Sequence, residues 1–392
     1  MLKNKSFLTA RNTLLIFAVT MLYCLIKNFD YSVSGLYVLF IGDFSIAIAP
    51  RFLIGSILSL FKESFTVEWV LSFLKISTFV LFFFTAVYTA DCLSHVRSEH
   101  SNIMIVLTGI FILFPFSITI FAGDIFGFID LFCMAVLILC AFFAESRYLV
   151  WTFPILICAG IFIHDAYITA YMAPCFGILA YCVIRKYGKK LWASICFVVS
   201  AIFGFATTAY RFFFSTDSVK MTETEAISYL AQKGNCSEEF VSGYIEAFLY
   251  GKDVHNFSGI DYADNTAELL KHMIRLAVDL FSKNDLIKTF SIIPLLILFA
   301  VIWITAIRNT KGFFERLPYI LFMLTILPQA ASLLISVDIS RFLAPIIFVQ
   351  FIYLFMCIKH KDENVTVSIE KLKNKPQYLF VPILFTLILN II

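Results

Sequence analysis

The sequence predicts an all-α, polytopic transmembrane helical bundle of about eleven spans with one helical extracytoplasmic loop, and three observations carry that expectation. Hydrophobic residues make up 60% of the chain and 46 residues are phenylalanine, giving a mean hydropathy of +0.89, whereas soluble domains are nearer about half apolar. The apolar residues gather into runs of roughly 17–25, long enough to cross a bilayer. Between the runs, short clusters of lysine and arginine alternate with stretches holding single acids, histidines and arginines.

Taken in order, the first run (12–27) follows Lys3, Lys5 and Arg11. It resembles a signal-peptide core, but no small-x-small cleavage site follows, so it reads as an uncleaved first helix. Residues 35–61 are apolar but interrupted by Gly42, Asp43, Pro50 and Arg51, which suits shallow interfacial helices in an outer loop, 28–65. Spans are then expected at 66–89, 102–121, 126–144, 148–163, 166–184 and 191–210. These complete an N-terminal transmembrane bundle, 1–211. Spans at 286–306, 317–336, 341–358 and 378–392 form the C-terminal transmembrane helices of 286–392.

The intervening 212–285 is the long hydrophilic segment. Thr222 and Glu225 have capping-box spacing, Gly234 would close that helix, and Ser237 would cap a second ending near Gly251. Asn265 and Glu268 open a third, with Leu269, Leu270, Met273 and Ile274 on one face. A segment of this size without a disulfide has a marginal core of its own, so it is expected to dock on the membrane part.

Cytoplasmic loops are enriched in Lys and Arg. With the N-terminus inside, 17 of the 30 basic residues fall in short inner loops, and several of the rest lie in the long segment, which counts little in this rule. The expectation is an integral protein of a bacterial cytoplasmic membrane, N-terminus cytoplasmic. The net charge of +3 reflects orientation, and no nucleic-acid partner is expected. Most of the ten cysteines lie inside apolar runs, where they act as small hydrophobes. No cysteine or histidine spacing suggests zinc, and no phosphate-binding loop, dinucleotide fingerprint or HExxH occurs. Neither a metal nor a cofactor is expected.

The chemistry-bearing residues fall on the outer side. They are Asp43 and Arg51 in the first outer loop, Asp124 in the turn 122–125, adjacent His164 and Asp165, Arg211 at a span end, and Asp338 with Arg341 at i,i+3 spacing. Charges in such apolar settings need a partner or a ligand to offset their desolvation. The plain readings are a structural pair for Asp43 and Arg51, an ordinary helix-hairpin turn at Asp124, a polar turn with a hydrogen-bonded histidine at His164–Asp165, and surface anchors for Arg211 and Arg341. Their shared side suggests one outward-facing chamber at the lipid boundary.

With its many spans, one long outer loop and charged residues at outer helix ends, the chain resembles the integral-membrane glycosyltransferases of the GT-C type. It is more similar to the bacterial O-antigen and capsular polysaccharide polymerases, including the EpsG-like group. The stretch Phe121–Pro174, with Gly160-Ile-Phe-Ile-His164-Asp-Ala-Tyr, carries the likeness, and Asp338–Arg341 resembles the late arginine of that group. Ile163 stands where such enzymes often have phenylalanine, and Asp124 where they often have arginine. The resemblance implies a donor sugar on a polyprenyl phosphate or diphosphate, a carbohydrate acceptor, surrounding membrane lipid and polysaccharide-export partners. It implies Asp43 or His164 as general base, Arg51, Arg341 and Arg211 on the phosphate, and Asp124 and Asp165 orienting the acceptor or the histidine. A transporter or flippase of lipid-linked sugar is the alternative, and a non-catalytic membrane scaffold the third reading.

Overall fold

The structure, a computed structural model, describes residues 12, 14–15, 17–19, 38–48, 50–96, 100–113, 129–214, 218–245, 289–333 and 339–391. Every regular element among them is helical. After a helical turn at Val38–Ile41 come α1 (Phe52–Ser59), α2 (Val67–Ser94), α3 (Ser101–Leu113), α4 (Asp130–Phe143) and α5 (Phe153–Ile163). Next are α6 (Ile168–Lys186), α7 (Leu191–Phe213), α8 (Glu223–Gly234) and α9 (Glu238–Ile245). The last are α10 (Ile293–Asn309), α11 (Phe313–Leu324), α12 (Ile326–Leu333), α13 (Ile339–Lys359), α14 (Glu363–Asn374) and α15 (Gln377–Ile391).

Five described helices are long and apolar enough to cross a membrane: Val67–Ser94, Ile168–Lys186, Leu191–Phe213, Thr289–Asn309 and Phe342–Lys359. α3, α4, α5 and α15 are apolar but shorter over their described lengths. Most of the first expected span and the whole third loop helix lie outside the described residues. The 28-residue α2 would extend about 42 Å at 1.5 Å per residue, beyond a hydrocarbon core of about 30 Å. Its Thr66 cap accepts from the Trp69 N–H at 3.3 Å, and Glu68 sits in the first turn against the helix dipole.

Burial ranks the helices. Of the most apolar 18-residue window of α13, 89% is buried, against 22% for α7, so α13 is the core strut and α7 a peripheral helix. The α13 face carries Phe351 and Phe355 against Phe111 of α3 and Tyr353 stacked 3.9 Å from Phe322 of α11. Gln350 is buried in that core, where its Oε1 accepts from the Trp303 indole at 2.7 Å and its amide donates to the Phe322 carbonyl at 2.9 Å.

The span expected as one piece over 317–336 is broken at Thr325 into α11 and α12. Around the break the Phe322 carbonyl is taken by the Thr325 hydroxyl and the Gln350 amide. α6 is also irregular, with wide π turns at Ile168–Met172 and Cys182–Lys186 flanking α-helical Ala173–Tyr181. Proline has no N–H, so Pro174 cannot donate to the Ala170 carbonyl one turn back. The buried Gln329 amide of α12 does so instead, at 2.8 Å.

The polar turns sort into two ends. At one, the chain around Asp43–Arg51 meets the end of α5, the end of α7 and residues 218–234. At the other, Asp91, Glu145, Arg185–Lys189, Thr310–Glu315 and Lys359–Asn364 meet one another. The described turns group as the loop alternation in the sequence divides them, while Lys3, Lys5, Arg11, Arg97, Asp124 and Asp338 lie outside the described residues.

Candidate functional site

The first end is built on α1. Gly42 and Gly55 let the 40–44 turn lie directly on this helix: a Cβ on Gly55 would stand 1.9 Å from the Gly42 carbonyl oxygen. The turn also donates the Phe44 N–H to the Ser56 hydroxyl at 2.8 Å. That places Asp43, 4% exposed, over the end of α1. Its Oδ1 accepts the Ser45 N–H at 2.8 Å, and its Oδ2 accepts the Tyr229 hydroxyl at 2.7 Å, the Ser59 hydroxyl at 3.0 Å and the Lys233 ammonium. Burial pushes the Asp43 carboxyl up, but Lys233, Tyr229 and the Ser45 N–H together outweigh it and hold it below its ordinary value. Burial, and then Asp43 itself, pushes Tyr229 up to about 12.

Lys233 and Tyr229 come from α8, so this carboxylate is what the long segment docks on. α8 starts with the expected capping box: Glu225 accepts from the Thr222 N–H at 2.8 Å, and the Thr222 hydroxyl accepts from the Glu225 N–H. Gly234 is its last helical residue, and Asn235 takes the left-handed conformation after it, φ 50°. The Ser237 hydroxyl accepts the Phe240 N–H at 3.2 Å and so caps α9. Docking is completed by the main chain, with the Phe65 N–H on the Lys233 carbonyl at 2.7 Å and the Lys220 N–H on the Ile46 carbonyl at 2.9 Å.

Arg51 is the N-cap of α1 in a left-handed conformation, φ 75°, which for a side chain other than glycine costs about 1–3 kcal/mol. Its N–H donates to the Phe162 carbonyl at 2.9 Å, tying the turn to the end of α5. Phe44 packs edge-on against Phe162, whose ring also meets Tyr210 of α7. Two residues beyond Phe162 lies His164, buried, whose Nδ1 accepts the Ala166 N–H at 2.9 Å. That bond needs the Nδ1 lone pair, so the neutral ring carries its proton on Nε2 and offers a donor there. Asp165 turns away from its neighbour and pairs with Arg211 of α7: Nε to Oδ1 is 2.7 Å, and the second contact is 3.5 Å. Arg211 is 4% exposed and the Asp165 side chain 17%, a half-shielded two-point pair.

The structure therefore brings Arg51, His164, Asp165 and Arg211 to one locus beside Asp43. It pairs Asp43 with Lys233 rather than with Arg51, and Asp165 with Arg211 rather than with His164. Asp124 and Asp338 lie outside the described residues, and Arg341 falls in the first turn of α13. Sequence reasoning missed Lys233 and Tyr229. The one available signal was that both sit a turn apart on the face of a capped helix that had to dock somewhere. Among the described residues no three His, Cys, Asp or Glu side chains form a metal-sized group.

Compared with known proteins, the chain matches no family model, no curated protein and no solved structure.

Proposed function

We propose that this chain is an integral-membrane glycosyltransferase or polysaccharide polymerase that takes a sugar from a polyprenyl phosphate or diphosphate carrier at the His164 end, on the outer face of a bacterial cytoplasmic membrane. The observation that carries the reading is the half-shielded Arg211–Asp165 pair, with His164 and the strained Arg51 cap beside it. Arginine forks match phosphate oxygens, and a non-glycine residue kept in a left-handed conformation points to a side chain retained for use.

In this reading Arg211 and Arg51 hold the carrier phosphate, and Asp165 fixes the Arg211 fork. His164 serves as a donor to the phosphate through Nε2–H, a change from the base suggested by the sequence. The acceptor hydroxyl oxygen attacks the sugar's anomeric carbon as the bond from that carbon to the phosphate oxygen breaks. The carrier leaves with the bonding pair, its charge met by the guanidinium groups. The acceptor proton passes to Asp43 once Lys233 and Tyr229 have withdrawn. Asp124, Asp338 and Arg341, put on the same side by the loop alternation of the sequence alone, are proposed to bind donor and acceptor.

A second reading, transport of the same lipid-linked sugar without bond formation, is favoured by one observation: in this conformation both candidate bases are engaged, Asp43 by four donors and His164 by a backbone N–H.

The deciding experiment is glycan analysis of cells lacking the gene, complemented by wild type, Arg51→Gly or Arg211→Ala. Arg51→Gly is the informative variant, because glycine suits the left-handed backbone at this position. Transfer predicts loss of long polymer and accumulation of a single lipid-linked repeat on the outer leaflet, rescued by wild type alone. Accumulation confined to the inner leaflet selects transport. An unchanged glycan profile in the deletion removes both readings.

A further inference from the structure

The opposite end of the bundle holds a cavity of about 450 Å³ lined by Arg185, Lys186, His360, Lys361, Asp362 and Asn364, among others. It lies where α6 ends and where the chain turns from α13 into α14. Lys361 makes that turn in a left-handed conformation, φ 53°, and Asp362 caps α14.

The charges here are unequally committed. The Asp362 carboxylate is saturated: one oxygen accepts the Asn364 and Val365 N–H groups at 3.1 and 3.3 Å, the other the Tyr319 and Tyr181 hydroxyls at 2.5 and 3.0 Å. The cations keep part of their capacity. Arg185 donates to the Tyr319 hydroxyl at 2.8 Å, the Glu315 carbonyl at 3.3 Å and the Thr310 hydroxyl at 3.5 Å, and lies 3.5 Å from the Glu315 carboxylate. Its Nε has no acceptor among the described residues, which leaves that donor uncommitted. Lys361 is exposed at the rim, and Lys186, also exposed, donates to the Glu145 carbonyl. Glu363 completes the rim as the remaining acid.

We propose that this cavity binds a phosphoryl group, held by Arg185, Lys186 and Lys361 and supplied either by a lipid headgroup or by a free phosphate. The chemistry is that of a planar guanidinium with two mobile ammonium groups, a usual oxyanion set. A neutral wall suits it: burial first, then the Lys186 and Lys359 charges, holds His360 down to about 4, so the imidazole is uncharged at neutral pH. The site is separate from the His164 end, and the proposal does not rest on the sugar-transfer reading.

The test uses the full chain in phosphatidylcholine nanodiscs at constant ionic strength. One arm titrates inorganic phosphate by calorimetry; the other scores retention of short-chain phosphatidic acid by native mass spectrometry. Lys186→Ala/Lys361→Ala changes two exposed side chains, and Lys371→Ala, exposed on the same helix α14, is the control. Saturable binding of either probe is expected, weakened about tenfold or more in the double variant and unchanged in the control. Binding of phosphate identifies a free anion, and retention of phosphatidic acid alone identifies a lipid headgroup. Absence of saturable binding in both arms, or equal binding by wild type and double variant, overturns the proposal.

Discussion

The two polar ends of this bundle use similar residues in different ways. Among the described residues, the ions at the His164 end stand in two separate pairs, one buried and one half-shielded, each holding one piece: Asp43 with Lys233 holds α8, and Asp165 with Arg211 holds α7 to the end of α5. At the Asp362 end they are chained. Lys359 reaches Asp91 at 2.5 Å and Glu145, Lys186 meets the Glu145 carbonyl, Arg185 reaches Tyr319, and Tyr319 reaches Asp362. Lys189 adds a 2.7 Å contact to Glu315. A chained network ties several loops together, so no single loop is released by one broken contact. Separate pairs leave each piece separately releasable, as the proposed entry of a lipid-linked substrate would require.

The largest effects should come from breaking the isolated pairs. Lys233→Ala leaves a buried carboxylate, and Arg211→Ala strands Asp165; breaking a buried pair costs about 3–5 kcal/mol. Because the Asp165 side chain is part-exposed, the Arg211 loss should fall at the lower end. Thermal unfolding in detergent measures both. Amide exchange across α8 should rise sharply for Lys233→Ala and stay near wild type for Arg211→Ala. Equal exchange in the two would refute the separateness of the pairs. Asp43→Asn with Lys233→Met should recover part of the loss.

Next in size is Gly55→Ala, which drives a Cβ into the Gly42 carbonyl; overpacking of this kind costs about 1–3 kcal/mol, read as a lower melting temperature. Asp362→Asn removes a charged acceptor from two tyrosines and a helix start. It should cost a similar 1–3 kcal/mol, as roughly expected for a buried hydrogen bond to charge. Its hallmark is that protection falls modestly in several loops at the Asp362 end rather than fully in one.

A pH titration sharpens the same contrast. Asp43 has its folded value below its ordinary one of 3.8. Its contribution is therefore complete above that ordinary value and fades as pH falls through the folded value. Proteolysis between α7 and α8 should quicken in that acid range in wild type, and the dependence should vanish in Asp43→Asn. The smallest effect is Thr222→Ala, the loss of an exposed cap, at about 1 kcal/mol, visible as fraying of the first turn of α8.

What was legible in the sequence was local or statistical. The all-helical class, the α8 start at Thr222 and the division of polar turns into two groups follow from composition, spacing and the lysine–arginine alternation. What was not legible is tertiary. Lys233 lies 190 positions from Asp43, and nothing local marks it as a partner. Adjacency suggested His164 with Asp165, but neighbouring side chains diverge at a helix end, and Asp165 met Arg211 on another helix. The break at Thr325 was hidden because hydropathy averages across it, and the glutamines that stabilise such irregularities, Gln329 and Gln350, do not register as charges. The eleven spans expected from the runs stand against five described helices of full crossing length.

The wide turns of α6 connect the two ends through a single rod. A π turn carries one more residue than an α turn, and one residue rotates a helix by about 100°. Ile168–Met172 and Cys182–Lys186 each hold one residue beyond an ordinary turn. Losing one residue from the first would restore an ordinary turn and leave the azimuth of the flanking helix unchanged, whereas losing one from α-helical Ala173–Tyr181 would swing one polar end about 100° around the axis relative to the other. The relative azimuth of the two ends is thus buffered at the wide turns and exposed to a one-codon deletion in the regular stretch between them.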